Sequence, residues 1–150
     1  MAIPDLIGNE FFSIDVQGYN RVANNLRRAV ADMPETAGRV TYKWATETRG
    51  VLKSTPYPPK RFRQKYKRTG RLANSWRAAR LPSGATILNT AHRRGRFYSR
   101  YVVGNAKGTG QAWMHKRRWW KARTIVDGES ERLRTALKEA VLKSITEGAQ

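Results

Sequence analysis

The sequence predicts an α+β fold: two N-terminal helices, a small and mostly antiparallel sheet with a long basic loop, and a C-terminal amphipathic helix. Apolar residues recur at helical spacing near both ends of the chain. Between them lie short β-branched or alternating runs separated by glycine and proline. The 150 residues, 39% of them hydrophobic, suffice for one domain with a modest core. We therefore expect a single domain over residues 1–150.

The N-terminal third predicts a strand and two helices. Alternation over Phe11–Val16 favours a short strand that ends before Gly18. Apolar residues at intervals of three and four favour a helix over Tyr19–Met33, and the same spacing continues to Leu52. Because proline is favoured in the first turn of a helix, we expect a second helix to begin at Pro34. Trp44 on that helix is expected to pack between helices.

An extended basic arm is predicted over residues 54–68. Three of the four residues Pro56–Pro59 are prolines, which restrict the backbone to extended conformations and remove hydrogen-bond donors. The following stretch Lys60–Arg68 has six basic residues among nine. This composition buries little by itself, so we expect a long loop that ends at Thr69-Gly70.

The middle of the chain predicts a hairpin and several loops. Leu72–Arg80 fits a strand or a short helix, and Leu81–Gly84 is a turn signal. Trp76–Arg80 and Thr86–Leu88 are therefore expected to form a β-hairpin. Arg93–Arg96 is expected to be a basic loop, Phe97–Val103 a strand or a helical turn, and Asn105–Gly110 a glycine-containing loop.

The strongest helical signal spans Glu129 to about Glu147. Leu133, Ala136, Leu137, Ala140, Val141, Ser144 and Ile145 form one apolar stripe. Acidic residues near its start suit the helix dipole, and Gly148 fits its end. No period of about 20–50 residues repeats along the chain, which excludes a solenoid.

The net charge of +19 is concentrated in the middle of the chain. Residues 48–126 carry 21 Lys and Arg and no Asp or Glu, whereas both flanking parts are nearly balanced. Such a block repels itself in the folded state unless an acidic partner is near. A solvated face is the simpler alternative, but the size of the block favours nucleic acid or an acidic protein surface as the partner.

Composition excludes several classes of protein. Without cysteine there is no disulfide framework and no thiolate metal site. Two histidines, His92 and His115, cannot form a zinc site without further ligands, and the central segment has no carboxylate for Mg²⁺ or Ca²⁺. No run of about 18 apolar residues predicts a membrane span, and residues 1–12 have no basic residue of a secretory signal. We expect no metal, no cofactor and no membrane association.

Catalysis has little support in the sequence. The glycines of residues 104–110 lack the Gly-Lys-Ser/Thr of a P-loop, so this stretch is expected to be a plain loop. A metal-independent ribonuclease could use His92, His115, Tyr98 and Tyr101, but nothing in the sequence fixes their geometry. The prediction is a protein that is not an enzyme.

Basic residues alternate with aromatic residues in three stretches: Lys60–Arg71, Arg93–Tyr101 and Trp113–Arg123. Cations neutralise phosphates and rings stack on bases, so a free nucleic-acid-binding protein is one hypothesis. Protein interfaces are also enriched in Arg, Trp and Tyr, so an assembly protein is the other. Composition alone does not separate the two.

The order of these features resembles head–tail joining proteins of long-tailed bacteriophages, also called tail-completion or minor tail proteins. Thr55–Pro58 is similar to the proline segment of that family, and Thr69–Trp76 is similar to its Thr-Gly-x-Leu-x-x-Ser element. Ile87–Ala91 with Tyr98–Gly104 resembles its strand and aromatic region, and Gln111–Trp120 resembles the stretch before its last helix. The insertion His92–Phe97 and the length of Lys60–Lys67 depart from the family pattern.

The resemblance implies a structural protein of the virion, made in the host cytoplasm, and no catalysis. It implies a ring of about six subunits between the portal and the tail tube. Its partners would be its own copies, together with either neighbouring neck, portal-side or tail-tube proteins or the DNA in the channel. The residues expected to contact these partners are basic or aromatic. They are Lys60, Arg61, Arg63, Lys65, Lys67, Arg68, Arg93, Arg94, Arg96, Arg117, Arg118, Trp119 and Trp120.

Overall fold

Helices and a small antiparallel hairpin make up the fold, which confirms the predicted α+β class. The structure is a computed structural model that describes residues 16–60 and 68–147. The elements, in chain order, are α1 (Val16–Ser54), α2 (Arg71–Asn74), β1 (Trp76–Leu81), β2 (Gly84–Asn89), β3 (His92–Arg93), β4 (Arg96–Phe97), α3 (Ser99–Val103), α4 (Ala122–Gly128) and α5 (Ser130–Glu147).

The predicted break at Asp32–Pro34 is wrong, because α1 is one helix of 39 residues with Pro34 inside it. A proline within a helix removes one hydrogen bond and crowds the carbonyl four residues earlier, here that of Val30. Pro34 and Val30 are both exposed, so that carbonyl lies where water can reach it. Tertiary packing on both sides of Pro34 offsets the cost. Of the predicted strand Phe11–Val16, Phe11–Asp15 lie outside the described residues and Val16 belongs to α1.

The predicted C-terminal helix is confirmed as α5, which packs antiparallel against α1. Trp44 lies between the helices as expected, and its indole Nε1 donates a 2.8 Å hydrogen bond to the Glu129 carbonyl. Arg132 then reaches back to Glu47, with 3.2 Å between the charged atoms. The short helix α4 before this junction was not predicted.

The predicted hairpin is confirmed as strands β1 and β2, paired antiparallel from Trp76↔Asn89 to Leu81↔Gly84. The stretch Leu72–Arg80 contains both of the predicted alternatives, because α2 ends at Asn74 and β1 begins two residues later. The hairpin packs against α1. Its turn reaches the helix at Gly38, where a Cβ atom would lie only 2.9 Å from the Pro82 carbonyl oxygen.

A cluster of five buried apolar residues joins the C-terminal end of α1 to the hairpin and α3; it consists of Leu52, Leu72, Trp76, Ala91 and Val103. The Thr-Gly-x-Leu-x-x-Ser element supplies part of this cluster. Gly70 has a φ of 70° at the start of α2, a left-handed conformation that glycine adopts without strain. Leu72, 5% exposed, then enters the core. The element therefore forms a turn and contributes one leucine to the core, as its residue types suggest.

The remaining central segment consists of short elements. Phe97 lies in β4 and Ser99–Val103 forms α3, so the predicted alternatives of strand and helical turn each apply to one part. Residues 104–110 form the expected loop. Within residues 16–60 and 68–147, no helix is long and apolar enough to cross a membrane.

Candidate basic interface

The proline segment that precedes the basic arm is attached to the body of the fold. Tyr57 packs against Trp119, with 5.3 Å between ring centroids, and its hydroxyl accepts a 2.9 Å hydrogen bond from the Ala73 amide. Trp120 donates from Nε1 to the Pro56 carbonyl at 3.2 Å. Arg118 donates to the carbonyl of Pro59. The predicted arm is therefore wrong for residues 54–59, because Ser54 is the last residue of α1 and residues 56–59 contact the body of the fold.

The two described ends of the arm differ in their surroundings. Lys60 is exposed. Arg68 is half-buried, and its guanidinium lies 5.7 Å from the ring centroid of Tyr57 and 5.8 Å from that of Trp119. Its Nε and Nη2 atoms are buried without a hydrogen-bond acceptor among the described residues. The predicted contact residues Arg61, Arg63, Lys65 and Lys67 lie outside the described residues.

The predicted basic loop is the tip of the small hairpin β3–β4. Arg93 and Arg96 are paired directly opposite each other and both are exposed. Arg94 occupies the turn with a φ of 51°, which is uncommon for a residue with a long side chain. Like charges facing each other across a strand pair are destabilising, so this tip concentrates positive charge at a cost to the isolated subunit.

The last of the predicted contact residues lie in or directly after a turn over residues 113–119. They are Arg117, Arg118, Trp119 and Trp120. The His115 amide donates to the Ala112 carbonyl, and the Trp119 amide donates to the His115 carbonyl, each at 2.9 Å. Arg117 is exposed with a φ of 63°. Trp119 and Trp120 are half-buried against the core, which gives both a packing role. Their predicted contact with a partner stays a prediction.

An open cleft of about 1040 Å³ lies beside this turn. We call it the basic cleft; its lining residues are Tyr101, Gly108–Ala112 and Lys116–Lys121. The lining has four cationic side chains, those of Lys116, Arg117, Arg118 and Lys121, and no carboxylate. Within the described residues, the ion pairs are made by Arg123, Arg132 and Arg134 rather than by Lys116, Arg117 or Lys121.

Two polar side chains fix the walls of the basic cleft. Asn105 organises the glycine loop, because its Oδ1 accepts hydrogen bonds from the amides of Lys107 and Thr109, both at 3.0 Å. Gln111 is 6% exposed and donates from Nε2 to the Val102 carbonyl at 2.7 Å and to the Trp119 carbonyl at 3.2 Å. Gln111 thus ties α3 to the turn that carries the cations.

Sequence reasoning missed Gln111, Lys116 and Lys121 as parts of this site. The run Gly104–Gly110 was recognised as a glycine loop, but a loop does not reveal which segment lies opposite it. The cleft depends on a contact between residues 101–112 and 116–121, to which Gln111 and the 3.2 Å hydrogen bond from the Lys116 amide to the Ala112 carbonyl both contribute. A glutamine among glycines and aromatics is the only local signal, and it is weak.

A second exposed feature is apolar. Val22, Leu26, Val30 and Met33 follow one another along α1 and are 57%, 46%, 64% and 37% exposed. We call these four residues the α1 stripe. Leu142 and Ile145 on α5 are also exposed large apolar residues, and Trp113 is 81% exposed. Exposed apolar surface of this kind is a candidate interaction site.

Among the described residues, two titratable groups have shifted pKa values, His115 and Tyr98. Burial lowers the pKa of His115, and the Arg118 guanidinium lowers it further. Burial raises the pKa of Tyr98, against the opposing effect of Arg71. A tyrosine with a raised pKa is ionised even less at neutral pH, so it is less available as a general base. Among the described residues, no three His, Asp or Glu side chains cluster as metal ligands.

Comparison of the chain with family models, curated proteins and solved structures finds no match in any of the three.

Proposed function

We propose that this chain is a structural protein of the virion at the bacteriophage head–tail junction. It assembles with its own copies into a ring and contacts adjoining rings through its basic arm and loops. The residues that carry the resemblance support this proposal by their mutual contacts. Tyr57 of the proline segment accepts a hydrogen bond from Ala73, and Asn89 donates to the Leu72 carbonyl at 2.8 Å. The motif residues therefore build one unit.

The observation that carries the proposal is the α1 stripe. Four apolar side chains along one helix remain exposed, whereas Ala29 between them is buried against α5. Transfer from water is worth about 25 cal/mol per Å² of apolar surface, so covering this stripe favours association. A second copy is the occupant we propose, because a ring repeats a single heterologous contact.

The charge distribution limits how such a ring can form. Each subunit adds +19, so a ring made only of this chain accumulates repulsion. The basic arm and the β3–β4 tip therefore require acidic surface from adjoining proteins or phosphates from DNA. This requirement predicts that isolated rings form more readily as salt rises, since salt screens repulsion between exposed charges.

A free nucleic-acid-binding protein is the second candidate, favoured by the basic cleft. Cations and aromatic rings in one groove are the features that bind single strands. This function predicts a monomer whose affinity for nucleic acid falls steeply with salt. The ring proposal predicts the opposite dependence for self-association.

Light scattering on the purified full chain separates the two. The mass is measured at low and high salt, with and without a short DNA duplex. A mass near a multiple of the 17.2 kDa subunit, increasing with salt, supports the ring. A monomer that binds the duplex tightly at low salt and releases it at high salt overturns the ring and supports the second candidate.

Matched variants connect the assembly to the α1 stripe. Val22→Ser, Leu26→Ser and Val30→Ser together remove its apolar surface and should leave a monomer with unchanged helical circular dichroism. Arg28→Ser with Arg39→Ser, also exposed on α1, is the control and should still assemble. If the serine variants assemble like the parent chain, the α1 stripe is not the interface.

A further inference from the structure

We propose that the basic cleft of one subunit binds the acidic segment Met1–Asp15 of a second copy. This inference rests on the proposed self-association and names the contact that builds it. The occupant is defined by chemistry on both sides: a cationic and aromatic groove, and a segment of this chain that carries acids and aromatic residues.

Charge complementarity selects this segment. Residues 1–15 hold Asp5, Glu10 and Asp15 and no Lys or Arg. The lining of the basic cleft has the reverse composition, with four cationic side chains and no carboxylate. Every other acidic residue of the chain lies within 32–147, where basic residues are interspersed. Opposite charges arranged in this way fix the register of the contact, whereas the repulsion between subunits of net charge +19 sets the salt dependence of assembly.

The apolar residues of the segment Met1–Asp15 also match the lining of the basic cleft. Phe11 and Phe12 lie next to Glu10, and Tyr101, Trp119 and Trp120 contribute aromatic surface to the basic cleft. Aromatic pairs contribute about 0.5–1.5 kcal/mol beyond the area they bury. The volume of about 1040 Å³ lies at the upper end for small-ligand pockets, which suits an extended peptide.

The distance from the start of α1 to the basic cleft indicates that the segment comes from a second copy. The basic cleft lies at the C-terminal end of α1, since Trp119 and Trp120 pack on the cluster that contains Leu52. Along a helix, the 36 steps from Val16 to Leu52 span about 54 Å. From Val16, a fully extended chain carries Glu10 at most about 22 Å and Asp5 at most about 40 Å. None of the three acids can therefore reach the basic cleft of its own subunit.

The geometry of the basic cleft fits this use. Asn105 and Gln111 fix its walls before any ligand binds. Arg117 adopts a left-handed backbone at a φ of 63°, and such strain concentrates at binding sites. The occupant directly precedes α1, so a neighbour that accepts residues 1–15 is also positioned to cover the α1 stripe. One heterologous contact then uses both features, and repeating it closes a ring.

Photo-crosslinking in the full chain tests the inference. Phe12 is replaced by benzoylphenylalanine in a ¹⁵N-labelled copy, which is mixed with unlabelled chain and irradiated. We expect crosslinked peptides that join residues 1–15 of a labelled copy to residues 101–121 of an unlabelled one. The same crosslinker at exposed Leu88 is the control and should not reach residues 101–121 of another copy.

A charge exchange supplies the second readout. Glu10→Lys or Lys121→Glu alone should weaken self-association about tenfold, and the two together should restore most of it. If oligomers form but Phe12 crosslinks elsewhere or within its own copy, this inference is overturned while the proposed ring stands. If no oligomer forms under any salt condition, both fail. If Arg117→Glu with Lys121→Glu leaves the oligomer intact and abolishes binding of a labelled oligonucleotide, the basic cleft binds nucleic acid instead.

Discussion

Two glycines of α1 allow one substitution to be tested in two environments. Gly38 and Gly50 are both inside the helix. A Cβ atom at Gly38 would lie 2.9 Å from the Pro82 carbonyl oxygen and 3.5 Å from that of Leu81. At Gly50, no atom lies within 4 Å of the same position. Gly38→Ala and Gly50→Ala should therefore shift stability in opposite directions.

The magnitudes follow from two opposing effects. Alanine stabilises a helix interior by about 0.5–1 kcal/mol relative to glycine, and Gly50→Ala should show this gain in full. At Gly38 the added methyl group meets backbone that cannot rotate away, so the hairpin turn must move by several tenths of an ångström. Overpacking of this kind costs about 1–3 kcal/mol. The net effect of Gly38→Ala should be a loss of about 0.5–2 kcal/mol.

Equilibrium unfolding in urea, followed by tryptophan fluorescence and circular dichroism, measures both changes. The two variants should differ by about 1–3 kcal/mol in the free energy of unfolding, with the parent chain between them. A Gly38→Ala variant as stable as Gly50→Ala would show that α1 and the hairpin turn are not in close contact. A double variant, Gly38→Ala with Pro82→Gly, should remain destabilised, because the clash involves the carbonyl rather than the proline ring.

Three further outcomes are expected. Leu72→Ala should lower the free energy of unfolding by about 2–5 kcal/mol, whereas the same change at exposed Leu88 should cost less than about 1 kcal/mol in the same urea titration. Because the pKa of His115 is lowered, the unfolded chain takes up this proton first, so stability should fall as pH drops below about 6.5. Thermal melts of His115→Gln should lack that part of the loss, and a loss as large as that of the parent chain would contradict the prediction. Arg94→Gly should raise the melting temperature, because glycine tolerates a φ of 51° and the charge at the hairpin tip falls; a lower melting temperature would contradict the strain argument.

Local patterns predicted much of the fold. The apolar stripe from Leu133 to Ile145 predicted α5, and the turn signal at Pro82 predicted the hairpin and its direction. Each depends on residues close in sequence, for which periodicity is informative. The break at Pro34 was mispredicted for the opposite reason. A proline signal depends on residues close in sequence. The helix stays continuous because α1 packs against α5 and the hairpin, and those contacts involve residues far away in sequence.

The candidate site was only partly predictable. Charge counting identified the basic segment, and Arg93, Arg94 and Arg96 are indeed exposed together at one tip. The basic cleft could not be predicted, since its walls meet through tertiary hydrogen bonds, among them those of Gln111 to the Val102 and Trp119 carbonyls. Trp119 and Trp120 also show that the sequence does not reveal which residues are neighbours in space. Their neighbours in sequence suggested a binding surface, and their neighbours in space are Tyr57 and Pro56.

The distribution of strain separates the part of this chain that folds from the part that binds. The Thr-Gly-x-Leu-x-x-Ser element places glycine where a positive φ is needed and leucine where the core is, so sequence and structure agree there. At the β3–β4 tip and at Arg117, arginines occupy positions that favour glycine, and like charges face each other. Each costs the isolated subunit stability that a simple substitution would recover. The proposed acidic partner would offset this cost, because its charge neutralises the clustered arginines on binding.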